Sequence, residues 1–108
     1  MKLCVTVIAL FATVAINAQI EIVQFSADFL KENEVSLKPF KAYDVKTLYM
    51  SEASNAFKQH EIVYVPTIIL FYNEEEIMRV ESGISLKLPD DAIQRIEEEI
   101  EEIIDSKF

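Results

Sequence analysis

Few side chains in this sequence could act as a nucleophile, a general base or a soft metal ligand. The 108 residues include one cysteine, Cys4, and one histidine, His60. One cysteine cannot form a disulfide within the chain, and these two residues cannot supply the ligand cluster of a zinc site. A Cys–His pair would suffice for nucleophilic catalysis, but Cys4 lies in the apolar run "KLCVTVIALFA", where a cysteine usually packs as a small hydrophobe. We therefore predict no metal, no cofactor and no catalytic residue, and leave open an atypical one-cysteine redox protein.

The charge of the chain argues against two classes of partner. Its formal net charge is −9, and residues 74–108 hold 12 acidic against 4 basic residues, which is −8 of that total. An acidic surface repels phosphate backbones and anionic lipid headgroups. We expect no nucleic-acid partner and no membrane partner.

Length and composition predict a single domain over residues 1–108, with 51% apolar residues to form its core.

The first 18 residues allow two interpretations. The basic start, the apolar run and Ala18 are typical of a secretory signal, whereas β-branched residues within the run favour a buried strand over residues 3–11. We predict the strand and a cytoplasmic protein. If residues 1–18 are a cleaved signal peptide, the protein is secreted.

Apolar periodicity predicts the element order β-α-β-α-β-β-α. The predicted elements are strand 3–11, helix 17–33, edge strand 39–46, helix 47–60, strands 67–72 and 77–81, and a terminal helix that follows Pro89. Helical crossovers make the first three strands parallel, and the final hairpin adds antiparallel pairing. We therefore predict an α/β fold, a four-stranded mixed sheet flanked by helices on both faces. If residues 1–18 are removed, "IEIVQF" becomes the first strand instead of part of a helix.

Several segments in this order resemble the thioredoxin family. "VPTIILFYNEEEIMRVESG", residues 65–83, matches a family segment that has a cis proline, a threonine, an apolar strand, a turn, a second strand and a glycine. "FAT" at 11–13 and "YDV" at 43–45 resemble the ends of two earlier strands of the family. The resemblance covers residues 3–104 and lacks the family's first strand and helix. It implies a cis Val65–Pro66 bond, which would direct the backbone groups of Val65 into a groove that binds an extended stretch of a partner protein.

The redox motif of the family is missing. Family members have a Trp-Cys-x-x-Cys run at the start of the first helix, where the helix dipole lowers the pKa of the first thiol. The corresponding residues here are "TVAINAQ", 13–19, or "SADFLK", 26–31, if "IEIVQF" is the first strand. Neither run contains a cysteine, so we expect no dithiol oxidoreductase activity.

These observations predict a non-catalytic, thioredoxin-like protein that binds another protein. The resemblance places the binding groove at Thr13, Val14, Ala15, Ile16, Asn17, Val65, Pro66, Thr67, Ser82 and Gly83. The alternative is a structural subunit that associates through the exposed edge strand 39–46, and this includes a homodimer.

Overall fold

A computed structural model describes residues 19–107, in which four strands form one mixed sheet. The strands are β1 (Ile20–Ser26), β2 (Asp44–Tyr49), β3 (Thr67–Tyr72) and β4 (Glu75–Glu81), and their order across the sheet is β2-β1-β3-β4. β1 pairs with β2 in parallel and with β3 antiparallel, and β4 is antiparallel to β3. The predicted mixed four-stranded sheet is confirmed. The predicted parallel direction of its third strand is wrong, because β2 ends and β3 begins at the same edge of the sheet, which makes β3 antiparallel to β1.

Two α-helices lie on opposite faces of this sheet. They are α1 (Ser54–Gln59) and α2 (Ala92–Lys107), and three short 3-10 helices occupy Asp28–Asn33, Lys38–Phe40 and Gly83–Ser85. The isoleucines of α2 recur every three or four residues, and Ile96, Ile100 and Ile103 pack on one face against a cluster that includes Ile22 and Leu70. Phe57 of α1 packs on the other face with residues of β1 and β3. No helix in residues 19–107 is long and apolar enough to span a membrane.

The predicted helix over residues 17–33 is wrong. Residues 20–26 form β1, and residues 28–33 form a 3-10 helix. β1 is the strand of the rival interpretation, "IEIVQF" with one more residue, and it is buried on both faces. A strand covered on both faces has apolar residues at almost every position. Some of these residues are then three or four positions apart, which is also the spacing of apolar residues in an amphipathic helix. The predicted strand 3–11 lies outside the described residues.

The predicted boundaries of the second strand and second helix also need correction. The strand begins at Asp44 instead of residue 39, because Lys38–Phe40 forms a 3-10 helix, and it continues to Tyr49. Pairing with β1 extends to the last residue of that strand, and the Met50 amide still donates to the Ser26 carbonyl at 3.0 Å. The helix expected over 47–60 is therefore confined to Ser54–Gln59.

The predicted carboxyl-terminal hairpin and terminal helix are confirmed, with one change in the turn. β4 begins at Glu75, two residues before the predicted start, so the turn consists of Asn73 and Glu74. Both residues have positive φ, at 53° and 67°, as a two-residue hairpin turn requires. The register of the β3–β4 pair shifts between Leu70 and Phe71 of β3. On β4, Ile77 has no partner in this pairing and forms a β-bulge.

Candidate functional site

One edge of the sheet collects four loops. β1, β2 and β4 all end at this edge and β3 begins there, because β3 runs antiparallel to both of its neighbours. The segments that meet at the edge are therefore those after Ser26, after Tyr49, before Thr67 and after Glu81. Loops at one end of a sheet are a common location for binding residues, since a rigid scaffold holds them in place.

The same edge carries most of the large apolar side chains that remain exposed in the described residues. We name six of them the apolar rim: Phe29, Met50, Val63, Tyr64, Ile84 and Leu86. Three are almost fully exposed, namely Phe29 at 76%, Val63 at 75% and Ile84 at 91%. The seventh exposed apolar side chain, Ile77, lies at the bulge of β4, away from this edge. Single exposed apolar residues are ordinary on protein surfaces, whereas a group at one edge is a candidate interaction site.

The structure brings five of the predicted groove residues together at this edge. Pro66 and Thr67 are buried, Val65 is 8% exposed, and the Ser82 amide donates to the Pro66 carbonyl at 3.1 Å. Gly83 follows with a φ of 70°. The other five predicted residues, Thr13, Val14, Ala15, Ile16 and Asn17, lie outside the described residues. Val65, Pro66 and Thr67 therefore present little side-chain surface to a partner.

The backbone around Val65 is held in place but not fully paired. The Val65–Pro66 peptide bond is cis, and the Thr67 hydroxyl donates to the Tyr64 carbonyl at 2.6 Å. Between residues 19 and 107, neither the amide nor the carbonyl of Val65 is hydrogen-bonded to another backbone group. Backbone groups without a partner in the chain can pair with an added strand.

The segment between β1 and β2 is anchored to the sheet by side chains. The Gln24 amide group donates to the Val35 carbonyl at 2.9 Å and accepts from the Val35 amide at 3.0 Å. Gln24 is only 1% exposed, so this pair satisfies a buried polar side chain. The Glu34 carboxylate accepts one hydrogen bond from Ser26, at 3.2 Å, and one from Tyr49, at 3.1 Å. These contacts fix the segment that presents Phe29.

Electrostatics at this edge involve Tyr49. The pKa of the Tyr49 phenol is raised, mainly by partial burial and next by its hydrogen bond to Glu34. The nearby carboxylates of Asp28 and Glu52 raise this pKa further. The phenol therefore stays neutral at physiological pH and donates a hydrogen bond to the Glu34 carboxylate. Its role is to hold the loop, because this neutral phenol offers no activated oxygen.

A shallow, mostly apolar pocket of about 410 Å³ adjoins the apolar rim. Met50 and Val63 belong to both the rim and the pocket. The remaining wall consists of Ser54, Phe57, Lys58, Glu61 and Ile62. A pocket of this size and lining accepts an apolar side chain of a bound segment.

His60 is a packing residue in this structure. Its imidazole ring lies 5.8 Å from the Phe25 ring and 5.1 Å from the Phe71 ring, measured between centroids. Together with Glu21 and Lys46 it lines a second cavity, of about 350 Å³, on the sheet face of α1. In the described part of the chain, no group of three or more potential ligand side chains is arranged to hold a metal ion.

None of the residues that directly follow β1 is a cysteine. The residues that follow Ser26 are Ala27, Asp28, Phe29, Leu30 and Lys31, which match the second of the two predicted positions for the redox motif. Since the whole sequence has one cysteine, dithiol exchange is impossible for this chain.

Comparison with solved structures agrees with this geometry. A mutant thioredoxin from Halobacterium salinarum NRC-1 superposes with a TM-score of 0.56 and 20% identity, over 78% of this chain and 76% of that one. Oxidised thioredoxin from Plasmodium falciparum gives 0.55 and 18%, over 88% and 90% of the two chains. The fold is thioredoxin-like. A designed protein has the same likeness, with a TM-score of 0.60 and 21% identity over 89% and 90% of the chains. No protein-family model and no curated protein matches the chain.

The strand order explains why four loops meet at this edge, but it does not explain the side chains that they carry. The sequence indicated the loop at Val65 and the glycine at 83, but it did not reveal the apolar rim. The available signal was the occurrence of large apolar residues just outside strands, as in "IVYVP" and "GISL". Only the strand order shows that these residues share one edge with Phe29 and Met50.

Proposed function

We propose that this protein is a non-redox binding module with a thioredoxin-like fold, and that it holds an extended segment of another protein at the apolar rim. The observation that carries the proposal is the position of the rim: six of the seven large apolar side chains exposed in the described residues lie at one sheet edge. Burial of such a group against a partner is favourable by about 25 cal/mol per Å² of apolar surface.

Two further features favour an extended partner segment. The amide and carbonyl of Val65 have no backbone partner within residues 19–107, and they lie beside Tyr64 and Val63 of the rim. A strand added there would use these groups for main-chain hydrogen bonds, and the pocket at Met50 and Val63 would take one apolar side chain of the segment.

The test uses the full chain and a displayed library of random peptides. We expect selection of peptides with a large apolar residue and an extended conformation, and binding of a selected peptide should shift the amide resonance of Val65. Val63→Asp and Ile84→Asp change exposed rim residues, so both variants should fold normally and bind the peptide at least about tenfold more weakly.

Ile77→Asp is the matched control, because Ile77 is an exposed apolar residue outside the rim. Its affinity for the peptide should equal that of the wild type. Equal binding by wild type, Val63→Asp and Ile84→Asp would refute the rim as the site. An unchanged Val65 resonance on binding would refute the main-chain contact.

Assembly through the edge strand is the second candidate function. It is favoured by the position of β2, which has a neighbour on only one side in the described sheet. The strand concerned is Asp44–Tyr49, not 39–46.

A further inference from the structure

The outward-facing backbone groups of β2 can be identified from its pairing with β1. The Met50 amide donates to the Ser26 carbonyl of β1. Because the N–H and C=O groups of successive strand residues point to opposite sides, those of Leu48 and Lys46 also face β1, whereas those of Val45 and Thr47 face away from it. Within residues 19–107 no strand occupies that outer side.

We propose that this edge pairs with β2 of a second copy of the chain, antiparallel, about a two-fold axis that passes beside Val45. In this register Val45 faces Val45 of the second copy, and the two residues exchange their amide and carbonyl hydrogen bonds. Asp44 faces Lys46 of the second copy on the same sheet face, and Tyr43 faces its Thr47. The two sheets then join into one sheet of eight strands.

Charge selects this register among its neighbours. A two-fold axis at Lys46 would place the two lysines directly opposite each other, and like charges directly opposite are destabilising. An axis at Thr47 would place Lys46 opposite Leu48 and leave Asp44 beyond the paired strand. Only the axis at Val45 pairs Asp44 with Lys46, and two-fold symmetry makes that contact occur twice. Asp44 is exposed, and Lys46, whose ammonium lies 3.1 Å from the Glu21 carboxylate, keeps 50% of its side chain exposed and can contact a second carboxylate.

We infer that a second copy of the chain pairs with this edge because the charges of β2 are complementary to themselves. The acid and the base stand two residues apart on the same sheet face, which is the spacing that a strand needs to match itself in antiparallel pairing. The other face is also compatible, because Tyr43 against Thr47 is an aromatic pair with a β-branched residue, and such pairs stabilise neighbouring strands.

Val45→Pro tests the main-chain part of the proposal. The lost amide points away from β1, so the proline removes no hydrogen bond within residues 19–107, and proline is tolerated on an edge strand in this orientation. Sedimentation equilibrium of the full chain should show a dimer for the wild type and a monomer for Val45→Pro, with unchanged far-ultraviolet circular dichroism.

Charge exchange tests the register independently of that variant. Asp44→Lys places two lysines opposite each other in every pair, and Lys46→Glu places two acids there, so each variant alone should dimerise roughly tenfold or more weakly than the wild type. A mixture of the two variants restores both opposite-charge contacts, and heterodimers should form with near wild-type affinity.

Three results would overturn the proposal. The first is a wild-type chain that stays monomeric at high concentration. The second is a dimer that survives both Val45→Pro and Asp44→Lys, which would place the contact elsewhere. The third is a mixture of Asp44→Lys and Lys46→Glu that associates no better than either variant alone.

Discussion

Arg79 of β4 connects the sheet to the end of α1, and its replacement is the most direct test of how the two elements are held together. The guanidinium donates to the His60 carbonyl at 2.8 Å, and His60 directly follows α1 as its C-cap. It also forms two hydrogen bonds to the Glu76 carboxylate on its own strand, at 2.8 and 2.7 Å. Arg79→Met keeps most of the apolar stem and removes every one of these donors.

The two contacts differ in expected value. The hydrogen bond from the charged Arg79 guanidinium to the His60 carbonyl should stabilise the folded state by about 1.5–3 kcal/mol. The ion pair with Glu76 contributes at most about 1 kcal/mol, because water screens a pair whose side chains are 23% and 36% exposed. Arg79→Met should therefore lower the free energy of unfolding by about 2–3 kcal/mol, and the midpoint temperature by roughly 10 °C or more.

Glu76→Gln separates the two contributions. This variant retains the Arg79 contact with His60 and weakens only the ion pair, so it should cost less than about 1 kcal/mol in urea titrations at neutral pH. The hydrogen bond from Arg79 lowers the pKa of Glu76, so its stabilisation is complete above the ordinary carboxyl pKa and is lost as the pH falls through the lowered value. The difference between wild type and Glu76→Gln should shrink in that acidic range. Equal losses for Arg79→Met and Glu76→Gln, or a loss below about 0.5 kcal/mol for Arg79→Met, would refute this division.

Two other substitutions test the loops of the candidate site. Gln24→Leu leaves the amide and carbonyl of Val35 without their partner, so the free energy of unfolding should fall by about 2–3 kcal/mol and the Val35 amide hydrogen should exchange faster with solvent. A fall below about 1 kcal/mol would contradict the anchoring role of Gln24. Gly83→Ala should lower the free energy of unfolding by about 1 kcal/mol, because alanine is strained at a φ of 70° even though no atom lies within 4 Å of its Cβ. Gly83→Asn should recover part of that loss, since asparagine adopts a positive φ more readily. Equal losses for the two variants in urea titration would indicate a steric cause instead.

The parts of the fold that the sequence predicted correctly are those with one strong period and clear ends. α2 has isoleucines on a single stripe and glutamates elsewhere, so its pattern is compatible only with an amphipathic helix. The run "TIILFY" has the length and β-branched content of a buried strand, and Asn73 marks the turn that follows it. In both segments local preference and tertiary burial favour the same structure.

The segment from β1 to α1 could not be assigned from local pattern alone. β1 is apolar on both faces, so its sequence fits a helix and a strand equally well. The chain between β1 and β2 contains two 3-10 helices, and the contact that anchors it joins Gln24 to Val35, eleven residues away. A contact at that separation depends on the tertiary arrangement, which the residues flanking Gln24 do not encode.

The location of the candidate site depends on strand order more than on any motif. Phe29, Met50, Val63 and Ile84 are distant in sequence, and they share an edge because β1, β2 and β4 run in one direction while β3 runs in the other. None of the six rim side chains is a thiol, an imidazole or a carboxylate. What this edge offers is apolar surface beside Val65 backbone groups that have no backbone partner within residues 19–107. On this chain, therefore, the geometry of a thioredoxin-like edge is present without the thiols that would make it a redox centre.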